Sequence, residues 1–123
     1  MTLVSKLIAI ACGSLISFGA IAQNYPSKPI KIIVGYSAGG ATDVLTRLVS
    51  VSMSNTLGQS IVVENRPGAN SNVGAELVAR SPADGYTLLL VNPANGINAS
   101  LYKKLPFDPE KDFAPLATLA TLP

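Results

Sequence analysis

The sequence predicts an α/β fold, a mostly parallel sheet flanked by helices. Two observations carry that prediction. Short β-branched runs of strand length alternate with longer segments of helical period, the signature of β-α-β units. Stretches rich in glycine, proline and asparagine separate them, as turns should. A third observation bounds the size: 123 residues, 48% hydrophobic and 13% charged, describe one packed domain.

The chain begins with a segment that reads as a leader rather than as part of the fold. From Met1 to Ser27 the only charged side chain is Lys6, and an apolar or small run extends from Leu7 to Phe18. Ala20-Ile21-Ala22 follows as a small-x-small site. A basic start, a short apolar stretch and such a site together describe a secretory signal peptide, residues 1–22. The alternative is an uncleaved membrane anchor, but a bilayer span needs about 20 apolar residues. Cleavage after Ala22 removes Lys6 and the single cysteine, Cys12, and takes the net charge from +2 to +1. The mature chain, from Gln23, then has neither disulfide nor thiol and must hold by packing. Its near-neutral balance has no basic stripe for nucleic acid.

The first strand is Ile30-Lys31-Ile32-Ile33-Val34, β-branched and short. The loop Gly35 to Gly40 follows. From Ala41 the period becomes helical, with Ala41, Val44, Leu45, Leu48, Val51 and Ser52 on one expected inner face and Gly58 as the stop after Leu57. Ser60 to Glu64 reads as a second strand, and Asn65 to Asn70 as a loop. Asn70 or Ser71 can cap a helix over about Asn72 to Arg80, with Val73, Ala75, Leu77 and Val78 inward. Pro82-Ala83-Asp84-Gly85 is a turn. Tyr86 to Val91 is apolar enough for a central strand. Asn92 to Ser100 reads as a polar segment, Lys103 to Asp112 as a charged connector, and Ala114 to Leu122 as a fourth strand.

Chemistry concentrates in the first loop. In an open parallel sheet, ligands sit beyond the carboxyl ends of the strands, where Gly35 to Gly40 lies. Four readings compete. A phosphate-binding P-loop fails because Ala41 stands where the lysine belongs. A dinucleotide fingerprint fails because Ser37 occupies the place of its second glycine. Gly35-Tyr36-Ser37-Ala38-Gly39 does spell the G-x-S-x-G nucleophile elbow. A serine nucleophile needs a general base, however, and the chain contains no histidine. Lys28 precedes the strand, Lys31 lies near its start, and both read as solvent-facing. The fourth reading is a non-catalytic anion cradle. Gly39 and Gly40 let a ligand approach the backbone, and the following helix aims free N–H groups and its positive end at the same place. No motif asks for a metal or cofactor.

Several further residues each read more than one way. Asp43 either contacts a ligand, organises the loop or simply complements the start of the helix, and a carboxylate would repel an anionic ligand. Asn92 and Asn95 each either offer a ligand an amide or cap and turn the backbone, and Asn98, ahead of Leu101-Tyr102, reads as structural. Arg66 either meets an anion, bridges Glu64 or sits in water.

Several ordered motifs then carry a family resemblance. Tyr25-Pro26-Ser27-Lys28-Pro29-Ile30, Gly39-Gly40-Ala41-Thr42-Asp43, Leu57-Gly58-Gln59 and Val62-Val63-Glu64-Asn65-Arg66-Pro67-Gly68-Ala69 come in that order. Ala83-Asp84-Gly85-Tyr86-Thr87, Pro93-Ala94-Asn95-Gly96-Ile97-Asn98, Leu105-Pro106-Phe107-Asp108 and Asp112-Phe113-Ala114-Pro115 follow. Together they resemble the Bug family, extracytoplasmic solute receptors of tripartite tricarboxylate transporters.

The resemblance implies a periplasmic-binding-protein-like lobe, residues 23–123, the first of two lobes around a cleft, with the second lobe missing. It implies a periplasmic, non-enzymatic protein that captures a small carboxylate or related metabolite and delivers it to membrane transporter subunits. Carried onto this sequence, its ligand contacts are Tyr36, Ser37, Ala38, Gly39 and Gly40, with Asn95 from the second loop. Two alternatives stand beside it: a serine hydrolase using Ser37, and a truncated remnant without function.

Overall fold

The computed structural model describes residues 24–121, so the leader expected over residues 1–22 lies outside the described residues. Strand β1 (Ile30–Val34) leads into helix α1 (Ala41–Leu57), then β2 (Ile61–Asn65). A 3₁₀ turn (Ala69–Ser71) enters α2 (Asn72–Ala79), which is followed by β3 (Thr87–Leu90) and α3 (Pro93–Leu101). The three strands form one parallel sheet in the order β2-β1-β3. Ile32 is in register with Val63 on one side and Leu88 on the other. The α/β fold with a parallel sheet flanked by helices is therefore present.

The middle strand differs from the expectation. β1 is central, and β3 pairs along one side only among the described residues. The burial pattern agrees: Ile30, Ile32, Ile33 and Val34 are buried, with Ile33 and Val34 fully so. A strand covered on both faces reads as a near-continuous apolar run, which Ile32-Ile33-Val34 supplies, with Lys31 near the strand start the one exposed residue. Ala75 of α2 completes the buried apolar set. Gly74 beside it lets α2 close on the sheet, since a Cβ there would stand 3.2 Å from Ile33 Cγ2 and 3.3 Å from Gly35 Cα. Val73, expected inward, is instead exposed.

Helix α1 has the predicted bounds, and Gly58 in the left-handed region (φ 65°) ends it with its N–H on the Ser54 carbonyl. Its inner face is not the predicted one. Val44, Leu48 and Val51 are 58%, 71% and 64% exposed, whereas Asp43, Thr46 and Ser50 are buried. The helix is turned by about one residue, roughly 100°. Hydroxyl chemistry explains how a polar stripe can face a sheet. Thr46 Oγ1 donates to the Thr42 carbonyl at 2.6 Å, and Ser50 Oγ to the Thr46 carbonyl at 2.7 Å. Each hydroxyl is satisfied within its own helix, so burial costs little, and the short side chains let the helix approach β1 and β2.

Two other expectations are corrected. Residues 93–101 form α3, not an irregular polar segment. Asn92 caps it, Pro93 occupies the first position, and Asn95 Oδ1 accepts from the Asn92 N–H at 3.0 Å. Ala114 to Thr121 forms no strand. An apolar stretch becomes a strand only where another backbone pairs with it, and none does so among the described residues.

Candidate functional site

Parallel pairing brings the carboxyl ends of all three strands to one edge. There the loops after β1, β2 and β3 meet. They are tied together by hydrogen bonds rather than by apolar packing.

The loop after β1 begins at Gly35, which is buried under the turn that follows β2. A Cβ at Gly35 would lie 1.9 Å from Ser71 Oγ, so only glycine fits. Tyr36 is half-buried, and its hydroxyl donates to Asn92 Oδ1 at 2.9 Å, joining the first loop to the third. Ser37, Ala38, Gly39 and Gly40 are exposed. Gly39 takes φ +84°, a conformation that glycine adopts without strain. Helix α1 starts at Gly40 with no side-chain cap.

Asp43 resolves toward loop organisation. Only 2% of it is exposed, and three donors converge on its carboxylate. The Gly39 N–H and Arg47 Nε donate to Oδ2 at 2.9 and 3.0 Å, and Asn65 Nδ2 donates to Oδ1 at 2.9 Å. Asn65 Nδ2 also reaches the Tyr36 carbonyl at 3.0 Å. The hydrogen bond from Arg47, then those from Gly39 and Asn65, hold the carboxyl well below the usual range, at about 2. The group is ionised at any physiological pH.

The turn after β2 carries three successive residues with positive φ: Ala69 (46°), Asn70 (53°) and Ser71 (76°). None is glycine, and each such residue costs about 1–3 kcal/mol. Amides hold it in place. Asn98 is fully buried, as its structural reading requires, and donates to the Asn70 carbonyl and to Asn72 Oδ1 at 2.7 and 2.8 Å. It accepts from Asn70 Nδ2 at 2.7 Å. Asn95 has both ends of its amide engaged, Oδ1 with the Asn92 N–H and Nδ2 with Ser71 Oγ at 3.2 Å. Arg66 bridges Glu64, through Nε at 2.5 Å and through Nη2.

Of the six residues singled out from sequence, Tyr36 to Gly40 form one continuous segment, and Asn95 reaches it through Asn92. Sequence reasoning missed Asn65 as a site residue and read Ser71 only as a helix cap, while Asn92 was among the asparagines it weighed. Asn92-Pro93 was a readable cap signal; nothing local marked Asn65 as the partner of Asp43.

Neither of the two lysines weighed for the elbow reading is free to act as its base. Lys28 pairs with Asp84 at 3.1 Å, before the start of β1 and at the opposite end of the sheet. Lys31 pairs with Glu64 at 2.9 Å.

Comparison with known proteins decides the family. Residues 45–123 match the model of the tripartite tricarboxylate transporter family receptor. The chain belongs to that receptor family. A UPF0065 protein of Bordetella bronchiseptica is 45% identical over 105 residues, covering 85% of this chain and 31% of that protein. The solved structure of the periplasmic binding protein BugD superposes with a TM-score of 0.70 at 40% identity, over 72% of this chain and 30% of that one. MatC from Rhodopseudomonas palustris, solved with bound malate, gives 0.73 at 38% identity, over 77% of this chain and 33% of that one. The chain thus spans about a third of the length of these receptor-family relatives.

Proposed function

We propose that residues 23–123 form the first lobe of a two-lobe periplasmic receptor that captures a small carboxylate for a tripartite tricarboxylate-type transporter. Residues 1–22 are read as its cleavable export signal, and membrane transporter subunits as its partners. The observation that carries the reading is the exposed Ser37–Gly40 backbone in front of an uncapped helix start. Unsatisfied N–H groups and the positive end of the helix favour an anion there. Family membership and a malate-bound relative point to a carboxylate as that anion.

In this reading Tyr36 to Gly40 supply the contacts, chiefly through the backbone, with the Ser37 hydroxyl as a hydrogen-bond donor. Asn95 acts from the first turn of α3 by fixing Asn92, and with it Tyr36. The protein binds and does not hydrolyse.

Titration with L-malate and with its neutral diamide tests the proposal. Malate is expected to raise the melting temperature and to shift the amide resonances of residues 36–41; the diamide is expected to do neither. At a hundredfold excess over Kd, a ligand specific for the folded state adds about 2.7 kcal/mol. Equal responses to both compounds would remove the anion reading. Stable labelling of Ser37 by a serine-reactive fluorophosphonate would replace binding with catalysis.

A further inference from the structure

We infer that Asp43 is the positioning residue of the Gly35–Gly40 loop: its buried carboxylate, held by Asn65 and Arg47, fixes Gly39 from inside so that the Ser37–Gly40 backbone is presented in one conformation. The inference rests on the proposed reading of that loop as the ligand contact.

The geometry carries it. The three donors on Asp43 come from three places: the loop itself (Gly39), the end of β2 (Asn65) and the next turn of α1 (Arg47). An ionised carboxylate only accepts, which suits a site where every neighbour donates. Asparagine has the same shape but would set an NH₂ against a donor. Asn65 holds the loop's other end through the Tyr36 carbonyl. The loop is therefore clamped at Tyr36 and at Gly39, and the exposed residues lie between those points and just beyond. Gly39 contributes its conformation, φ +84°, while its N–H is spent on Asp43.

A surface ion pair alone would need none of this. The exposed i,i+4 pair Arg80–Glu76 shows what that looks like. Asp43 differs by being buried and by accepting from the loop backbone.

The test uses the ¹⁵N,¹³C-labelled chain with L-malate as probe. In the wild type, a through-hydrogen-bond coupling should link the Gly39 amide to Asp43 Cγ. Asp43→Asn should weaken malate binding about tenfold or more, rearrange the amide signals of residues 37–40, and leave the β1 amides of Ile32 to Val34 protected. Arg47→Gln, which keeps the Gly39 contact, should weaken binding less than about threefold. Absence of the coupling overturns the inference whether or not Asp43→Asn folds. So does wild-type malate affinity in Asp43→Asn, or an equal loss in Arg47→Gln. A wild type that shows the coupling, loses it in Asp43→Asn with rearranged loop signals, and ignores malate would uphold the clamp and overturn the carboxylate reading.

Discussion

Replacing Gly35 by alanine creates the closest approach that an added Cβ would make at any glycine among the described residues. A Cβ at this position would stand 1.9 Å from Ser71 Oγ, 2.5 Å from Ser71 Cβ and 2.8 Å from Ser71 Cα. Rotating the serine side chain relieves the first contact only. The other two belong to atoms fixed by the backbone, so the turn after β2 must move. That turn is already strained at Ala69, Asn70 and Ser71 and pinned by Asn98. Overpacking of this kind costs typically about 1–3 kcal/mol, and contacts with fixed atoms put Gly35→Ala at about 3. For a domain of this size each kcal/mol lowers the melting temperature by about 4–8 °C, so the expected drop is about 12–24 °C. A double-mutant cycle by thermal denaturation identifies the cause. Ser71→Gly removes the Oγ and Cβ and leaves only the 2.8 Å contact. It also suits the φ of +76° at that position. The double variant should recover half or more of the loss, a coupling of about 1–2 kcal/mol. An alanine variant within about 0.5 kcal/mol of wild type, or purely additive effects, would refute the reasoning.

Three further outcomes are expected. Leu48→Gln should change stability by no more than about 0.5 kcal/mol in denaturant melts, because that leucine is 71% exposed; Ser50→Leu, on the face packed against the sheet, should cost about 1–3 kcal/mol. Asn98→Ala strands Asn70 Nδ2, the Asn70 carbonyl and Asn72 Oδ1, and should cost about 2–3 kcal/mol by the same assay, whereas a change at exposed Ile97 should cost far less. Asp43, Glu64, Asp84 and Asp108 all have folded pKa values below their ordinary ones. Depressed carboxylates stabilise the fold above their unfolded pKa and lose that contribution as pH falls through the folded one, for Asp43 from about 4 down to about 2. With no histidine in the chain, the melting temperature should be flat from about pH 5.5 to 8 and fall below about 4.

How much was legible in the sequence follows from where each signal resides. β1 and α1 were readable to the residue because their determinants are local: a β-branched run, a glycine pair before the helix and Gly58 after it. The phase of α1 was not readable. Apolar periodicity marks the side that prefers to leave water, but which side meets the sheet also depends on how close the backbones can come. Thr46 and Ser50 allow a closer approach than Leu48 and Val51, and their hydroxyls need no outside partner. The same locality separates the two parts of the site. Tyr36 to Gly40 stood out by composition. Asn65 and Ser71 became part of it only because parallel pairing sets the end of β2 beside the end of β1. The fourth strand was misread for the complementary reason, since its pattern was apolar but its partner had to come from elsewhere.

The charges at this edge explain why asparagine recurs there. Asp43 is paired with Arg47, and Glu64 with both Lys31 and Arg66. A paired charge has little field left to attract a distant ligand. Orientation must then come from directional groups. Amides suit this because each carries two N–H donors and an oxygen with two lone pairs, so one side chain can bind two neighbours at once. Asn65 joins the end of β2 to the Tyr36 carbonyl and to Asp43 of α1, Asn92 joins the Tyr36 hydroxyl to α3, and Asn98 joins α3 to the turn after β2. Each link crosses between elements, and together they set the relative positions of three loops that share no apolar core. An aliphatic cluster would exclude water equally well but would let the loops slide. Hydrogen bonds between 2.7 and 3.0 Å do not permit that without breaking. The rigidity of the edge thus rests on side-chain geometry, and the neutral backbone of residues 37–40 is what that geometry leaves facing solvent.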